Sequence, residues 1–158
     1  MRTIQFFIVM MLGATVTAFG QSEKAPKDSK IQIYITKQVN GSMEEVHQKV
    51  VDALKVEKFG VITEVDMAKI LNEKLDVDVK PYKILGVCNP GSAYEALQAE
   101  PNIGVFLPCK VILKQIDEKT VEVVSANPEM MMGILENEKL NETARNVALK
   151  LEQVINGL

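Results

Sequence analysis

Twice in this chain an asparagine is followed at once by a proline behind a run rich in β-branched residues, at Asn89-Pro90 and at Asn127-Pro128. Asparagine accepts a bond from a free amide at a helix start, and proline at the first helical position loses nothing, because its missing N–H had no partner there. Each pair therefore ends a strand and begins a helix. The first places a strand over Pro81 to Cys88 and a helix from Pro90 to about Gln98. The second follows a strand over Thr120 to Ser125 and leads into a short helix over Met130 to Leu135.

Other punctuation divides the rest. Ile31, Ile33 and Ile35 alternate with Gln32, Tyr34 and Thr36, the period of a strand with one dry face. Asn40-Gly41 marks a turn, and Ser42 with Glu45 three residues on forms a capping box ahead of a helix over about Met43 to Lys55, with Val46, Val50, Val51 and Leu54 on its apolar face. Phe59 to Val65 reads as a second strand. Asp66 then caps a short helix carrying Met67, Ile70, Leu71 and Leu75, and both helices are expected to cover the sheet. Pro101 to Gly104 turns the chain into a strand over Val105 to Ile116, which pairs with Thr120 to Ser125 as a hairpin across Asp117-Glu118-Lys119. A last helix spans about Glu142 to Asn156 and stops at Gly157. Strands alternating with helices and then a hairpin followed by two helices suit an α+β domain. Its sheet is expected to be mixed or mostly antiparallel, with about four to five strands and helices packed on it.

The first twenty residues read differently. Met1 and Arg2 precede an apolar stretch from Phe6 to Ala18, shorter than the ~20 residues that span a bilayer, and Ala18-Phe19-Gly20 offers small residues for cleavage before Gln21. The expected product is an exported chain, periplasmic or extracellular, soluble and free of the membrane once the signal is cut. No cysteine near the cut offers a lipid attachment point. Residues 21–30 form a polar leader, and residues 31–158 form a single domain.

Composition then limits the function classes. The whole chain carries a net charge of −3 and loses one further positive charge with Arg2. An acidic chain without tryptophan, its basic residues dispersed, lacks the counterion-releasing face or stacking platform that a nucleic acid needs. No Gly-x-Ser-x-Gly elbow is present, and a single histidine gives no complete catalytic constellation.

Candidate chemistry gathers between Pro81 and Cys109, which holds both cysteines and four of the six prolines. Cys88 stands just before a helix N-terminus, where the partial positive charge lowers a thiol pKa and favours reaction. In an oxidising compartment Cys88 and Cys109 are most economically read as a disulfide, which closes a loop worth roughly 3 kcal/mol. Two inert buried thiols, or a redox or metal-handling pair, are the alternatives. Asn89, Gly91 and Ser92 offer an anion site at the helix start, against ordinary capping. Tyr82, Tyr94 and Phe106 are candidates for a pocket that takes a small apolar ligand. No cofactor is called for, and no metal either, the weak alternative being a site of His47, Cys88 and Cys109. Met130 to Met132 are consecutive on a helix and point in different directions, which fits core packing rather than soft-metal binding. The sequons at Asn40 and Asn141 are read as chance.

The string Pro81-Tyr82-Lys83-Ile84-Leu85-Gly86-Val87-Cys88-Asn89-Pro90, then Ala93, Ala96 and Leu97, then Pro101-Asn102-Ile103-Gly104 and Leu107-Pro108-Cys109, resembles the family called domain of unknown function 302. The likeness extends more weakly over about residues 31–156. It implies a TATA-binding-protein-like arrangement of a curved sheet backed by helices, a homodimer, and no established reaction. The two-cysteine form resembles one branch of that family. Another branch has Gly-Asn-Pro and Leu-Pro-Leu at the corresponding places, which implies that the thiols are not required for the fold. Gly91 and Lys110 stand where the family pattern has proline and asparagine.

The functional expectation is thus a non-enzymatic module that binds a small ligand or a protein, with a thiol redox or metal-handling protein of the cell envelope as the competing reading.

Overall fold

The computed structural model describes residues 32–158, so the signal segment, the leader and Ile31 lie outside the described residues. Five strands form one open sheet in the order β1-β5-β4-β3-β2, and each neighbouring pair is antiparallel: β1 Tyr34–Asn40, β2 Gly60–Asp66, β3 Tyr82–Cys88, β4 Cys109–Asp117 and β5 Thr120–Ala126. Five α-helices accompany them: α1 Met43–Val56, α2 Met67–Leu75, α3 Pro90–Ala99, α4 Pro128–Gly133 and α5 Glu138–Asn156. The fold is α+β, with helices packed on an antiparallel sheet.

Local signals set most of these boundaries. Ser42 and Glu45 make the capping box, with the Ser42 amide donating to Glu45 Oε2 at 2.9 Å and the Glu45 amide to Ser42 Oγ at 3.3 Å. The Asp66, Asn89 and Asn127 side chains each accept from amides of the helix that follows. Asn137 caps α5, which starts at Glu138, four residues before the expected start, and donates its side-chain amide to the Ala99 carbonyl at 3.0 Å. The last helix is accordingly longer than its apolar spacing alone suggested.

One face of the sheet carries the main core. Ile35, Leu85, Val87, Val111, Leu113, Val121 and Val123 meet Val46, Val50 and Leu54 of α1 and Leu151, Val154 and Ile155 of α5, all buried. At about 25 cal/mol per Å² of apolar surface, each such side chain contributes roughly 1.5–3 kcal/mol before the entropy of ordering it is set against the gain. A second cluster of Ala96, Ile103, Met132, Leu140 and Ala144 joins α3, α4 and α5.

Three expectations need correction. The first strand begins at Tyr34, and Ile33 lies before it and is exposed; its dry face is Ile35 and Val39, because the register Ile35↔Ser125 and Val39↔Val121 points these positions at α1 and α5. Val105 and Phe106 belong to a 3-10 turn over Pro101–Phe106 rather than to β4. Pro101 starts that turn, the Leu107 amide closes it on the Gly104 carbonyl, and Pro108 has no amide to pair in a ladder. Helix α2 buries none of its residues. Met67 and Leu71 share a groove with Tyr82, Ile84 and Lys114, whose register positions alternate with the core positions Leu85 and Leu113. It therefore rests on the far face, away from α1 and α5.

Candidate functional site

The end of β3, the start of α3 and the start of β4 meet in one place. Val87 pairs with Cys109 across the β3–β4 ladder, so Cys109 lies one position from Cys88 on the neighbouring strand. Cys88 and Cys109 are both among the residues around a small hollow of about 20 Å³ beneath α3, with Phe59, Ala96, Leu107 and Met132. Cys109 and Met132 also line an adjoining hollow of about 220 Å³ with Phe106 and Met131. Sequence reasoning placed the cysteines here and set Met132 aside as core. Met132 is indeed buried in the second core cluster, whereas Met130 and Met131 are exposed.

The cysteines are free thiols, not the expected bridge. Burial pushes the Cys88 thiol up from its ordinary pKa, the reverse of the activation expected from the helix start. Burial and the neighbouring Cys88 charge push Cys109 up to about 11, opposed by Lys110. The desolvation of a half-buried sulfur outweighs the α3 dipole, which acts fully only on groups in the first turn. Neither thiol is a ready nucleophile at neutral pH.

Asn89 is buried and fully used. Its oxygen accepts from the Ser92 amide at 3.1 Å, its amide donates to the Glu57 carbonyl at 3.3 Å, and its own carbonyl accepts from Ala93 at 2.9 Å. Of the candidate anion site at Asn89, Gly91 and Ser92, the Ser92 amide is thus taken by the cap, and the next amide, of Ala93, by the first bond of the helix.

Tyr82, Tyr94 and Phe106 do not share a pocket. Tyr82 lines the groove under α2, Tyr94 a hollow between α3 and α5, and Phe106 the hollow beside Met131. His47 does not join the cysteines either. Its Nε2 lies 3.1 Å from Glu64 Oε2, and Lys83 Nζ lies 3.0 Å from Glu64 Oε1. The Lys83 hydrogen bond is the largest influence and holds the Glu64 carboxyl below its usual pKa; burial comes next and opposes it, and His47 lowers it further.

The groove under α2 is larger than either hollow beside the cysteines. It has a volume of about 500 Å³ and is lined by Met67, Leu71, Val79, Tyr82 and Ile84, with Lys80 and Lys114 at its edge. Ile62, Ile70, Leu75 and Val77 are exposed on the same elements and the segment that follows α2. Among the described residues, no helix is long and apolar enough to cross a membrane.

Comparison with known proteins gives two findings. The family described as "Domain of unknown function DUF302" matches residues 35–158. The crystal structure of an uncharacterized conserved protein DUF302 from Bacillus stearothermophilus is similar at 30% sequence identity and a TM-score of 0.74, covering 79% of this chain and 97% of that one. Among curated proteins none matches significantly.

Proposed function

We infer, from the premise that the chain belongs to the DUF302 family of domains of unknown function, that it is a non-enzymatic binding module whose contact surface is the far face of the sheet around α2. One observation carries this reading. Helix α2 has an apolar stripe in Met67, Ile70, Leu71 and Leu75, yet buries no residue. An amphipathic helix gains most of its stability from covering that stripe, so its cover is expected to come from outside the chain.

The occupant that fits best is a second copy of the same chain. A two-fold contact uses each apolar residue twice, so the stripe of one protomer and the groove of its partner are covered together. This agrees with the homodimer implied by the sequence resemblance. Export of the chain, with a signal over residues 1–20 and a mature start at Gln21, belongs to the same reading, as does membership of the two-cysteine branch. Amino-terminal sequencing of the secreted product tests the cleavage, and an intact Met1 argues against it.

Size-exclusion chromatography with light scattering tests the dimer. Twice the chain mass at micromolar concentration is expected, falling to a monomer in Ile70→Glu and Leu75→Glu. A monomeric wild type at that concentration sinks the reading. Saturable binding of an apolar fluorophore to such a monomer would instead assign the groove to a small ligand.

A further inference from the structure

We propose that Asn40 is a site of spontaneous deamidation, and that the bond from the Gly41 amide to the Lys119 carbonyl sets its rate. The site lies where β1 leads into α1 beside the β4–β5 turn, and it does not depend on how the α2 face is used.

Deamidation needs an asparagine side chain open to water and a following backbone amide free to attack it. Glycine hinders that attack least, because it has no Cβ. Two asparagines here precede a glycine, Asn40 and Asn156, and both are exposed. Asn89 and Asn127 precede proline, whose nitrogen has no proton to give up. Asn40 ends β1, Gly41 takes a φ of +145°, and Ser42 already caps α1, so the reactive pair occupies the junction between strand and helix.

The fold holds that junction shut. The Gly41 amide donates to the Lys119 carbonyl at 2.8 Å, and Asn40 pairs with Thr120 in the β1–β5 ladder. Lys119 is fixed in turn by Asp117, whose Oδ1 accepts from the Lys119 amide at 2.9 Å, two residues on, as in an Asx turn. Ring closure takes Asn40 out of the strand's ψ of about +135°, so the Gly41 nitrogen has to release Lys119 before it reaches the side-chain carbon. Little room is left for that rotation. A Cβ on Gly41 would lie 3.2 Å from Glu45 Oε2 and 3.3 Å from Val46 Cγ2, which places α1 against the peptide.

Asn156 is closed by a different device. The Gly157 amide donates to the Gln153 carbonyl at 3.0 Å, within the last turn of α5, and Lys37 Nζ donates to the Asn156 carbonyl at 2.7 Å. It shares no hydrogen bond with the Asp117 turn and so serves as an internal reference.

The chemistry balances with water alone. The Gly41 nitrogen loses its proton and bonds to Cγ of Asn40, the Cγ–Nδ2 bond breaks, and the side-chain nitrogen leaves as ammonia with that proton. Water then opens the five-membered ring at either of its two carbonyl–nitrogen bonds. One opening gives aspartate and the other isoaspartate, and no atom changes oxidation state. Aspartate places a negative charge ahead of the α1 N-terminus, where the helix dipole accepts it. Isoaspartate lengthens the main chain by one carbon, which pulls the Gly41 amide from Lys119 and disturbs the capping box of Ser42 and Glu45.

The test follows conversion at both asparagines during incubation of the purified protein at mildly alkaline pH, folded and in urea, by peptide mapping and enzymatic labelling of isoaspartate. Asn40 should convert readily in urea and at least about tenfold more slowly in the folded chain. Asp117→Ala loosens the turn that carries Lys119 and should speed Asn40 about threefold in the folded chain, with Asn156 at its wild-type rate. Asn40→Gln, which closes only a less favourable six-membered ring, should suppress conversion at that position with an unchanged circular dichroism spectrum. The wild-type comparison between the two states decides the matter even if Asp117→Ala fails to fold. Equal rates at Asn40 in both states, no conversion there in urea, or an Asp117→Ala variant that leaves Asn40 unchanged or speeds Asn156 equally overturns the proposal.

Discussion

The side-chain amide of Asn89 donates to the carbonyl of Glu57, 3.3 Å away, and so ties the start of α3 to the end of α1. The same side chain caps α3 through Ser92. One residue thereby fixes both the helix and the backbone of Cys88 beside it.

Asn89→Ala removes both bonds and leaves the Ser92 amide and the Glu57 carbonyl without them. A lost cap costs about 1 kcal/mol, and an unsatisfied buried partner about 1–3 kcal/mol more. Urea denaturation should show a loss of roughly 2–3 kcal/mol. Asn89→Asp keeps the capping oxygen and loses only the donor, so it should lose less. Equal losses in the two variants would show that the cap contributes nothing.

Gly86 of β3 is flanked by the side chains of Thr63 on β2 and of Pro108, which precedes β4. A Cβ there would lie 2.8 Å from Pro108 Cγ and collide with the Thr63 hydroxyl. Gly86→Ala should therefore destabilise the fold by about 1–3 kcal/mol, the usual cost of overpacking. Adding Thr63→Ala removes one of the two collisions and should recover part of the loss. A double variant no more stable than Gly86→Ala would rule out Thr63 as the obstacle.

How much of this was legible in the sequence depends on how local the cause was. Ser42 with Glu45, Asn89-Pro90 and Asn127-Pro128 act within a turn, and the helices start where these residues place them. The face that α2 covers was not legible. Met67, Ile70, Leu71 and Leu75 state that the helix has an apolar side but carry no record of which side of the sheet receives it. Val105 misled for a related reason: a β-branched residue after a glycine suggests a strand, but Pro101 and Pro108 bracket it, and it is 84% exposed. At the site, the nearness of Cys88 and Cys109 depended on the register Val87↔Cys109, a long-range pairing. The separation of Tyr82, Tyr94 and Phe106 onto three surfaces followed from the same packing.

The raised thiols give a prediction about alkaline stability. Cys109 has an ordinary value of 9.0 and is pushed up to about 11 in the fold. Because the folded chain favours the neutral thiol, its contribution is complete below pH 9 and is lost as the pH rises through about 11. The shift corresponds to about 3 kcal/mol. Wild type should thus lose more stability than Cys109→Val between these limits, measured by urea midpoints at matched pH values. Parallel profiles for the two proteins would mean that the thiol is not desolvated as described. Alkylation should likewise be slow at pH 7 and accelerate with pH, with Cys88 reacting ahead of the more buried Cys109.

Glu64 supplies the corresponding prediction in acid. Lys83 and His47 both bond to it from outside its own strand, and Lys83 is the larger cause of its lowered pKa. A carboxylate favoured in the folded state contributes stability above its unfolded value, near 4.5, and loses that contribution as the pH falls through its lower folded value. Glu64 is partly open to water, so the effect is screened and should shrink with salt. Glu64→Gln keeps the shape, removes the titration, and should flatten the stability profile below pH 4.5. Lys83→Met leaves His47 as partner and should flatten it in part. If His47→Gln flattens the acid limb more than Lys83→Met does, the assignment of Lys83 as the main partner is wrong, because the histidine bond would then carry most of the shift.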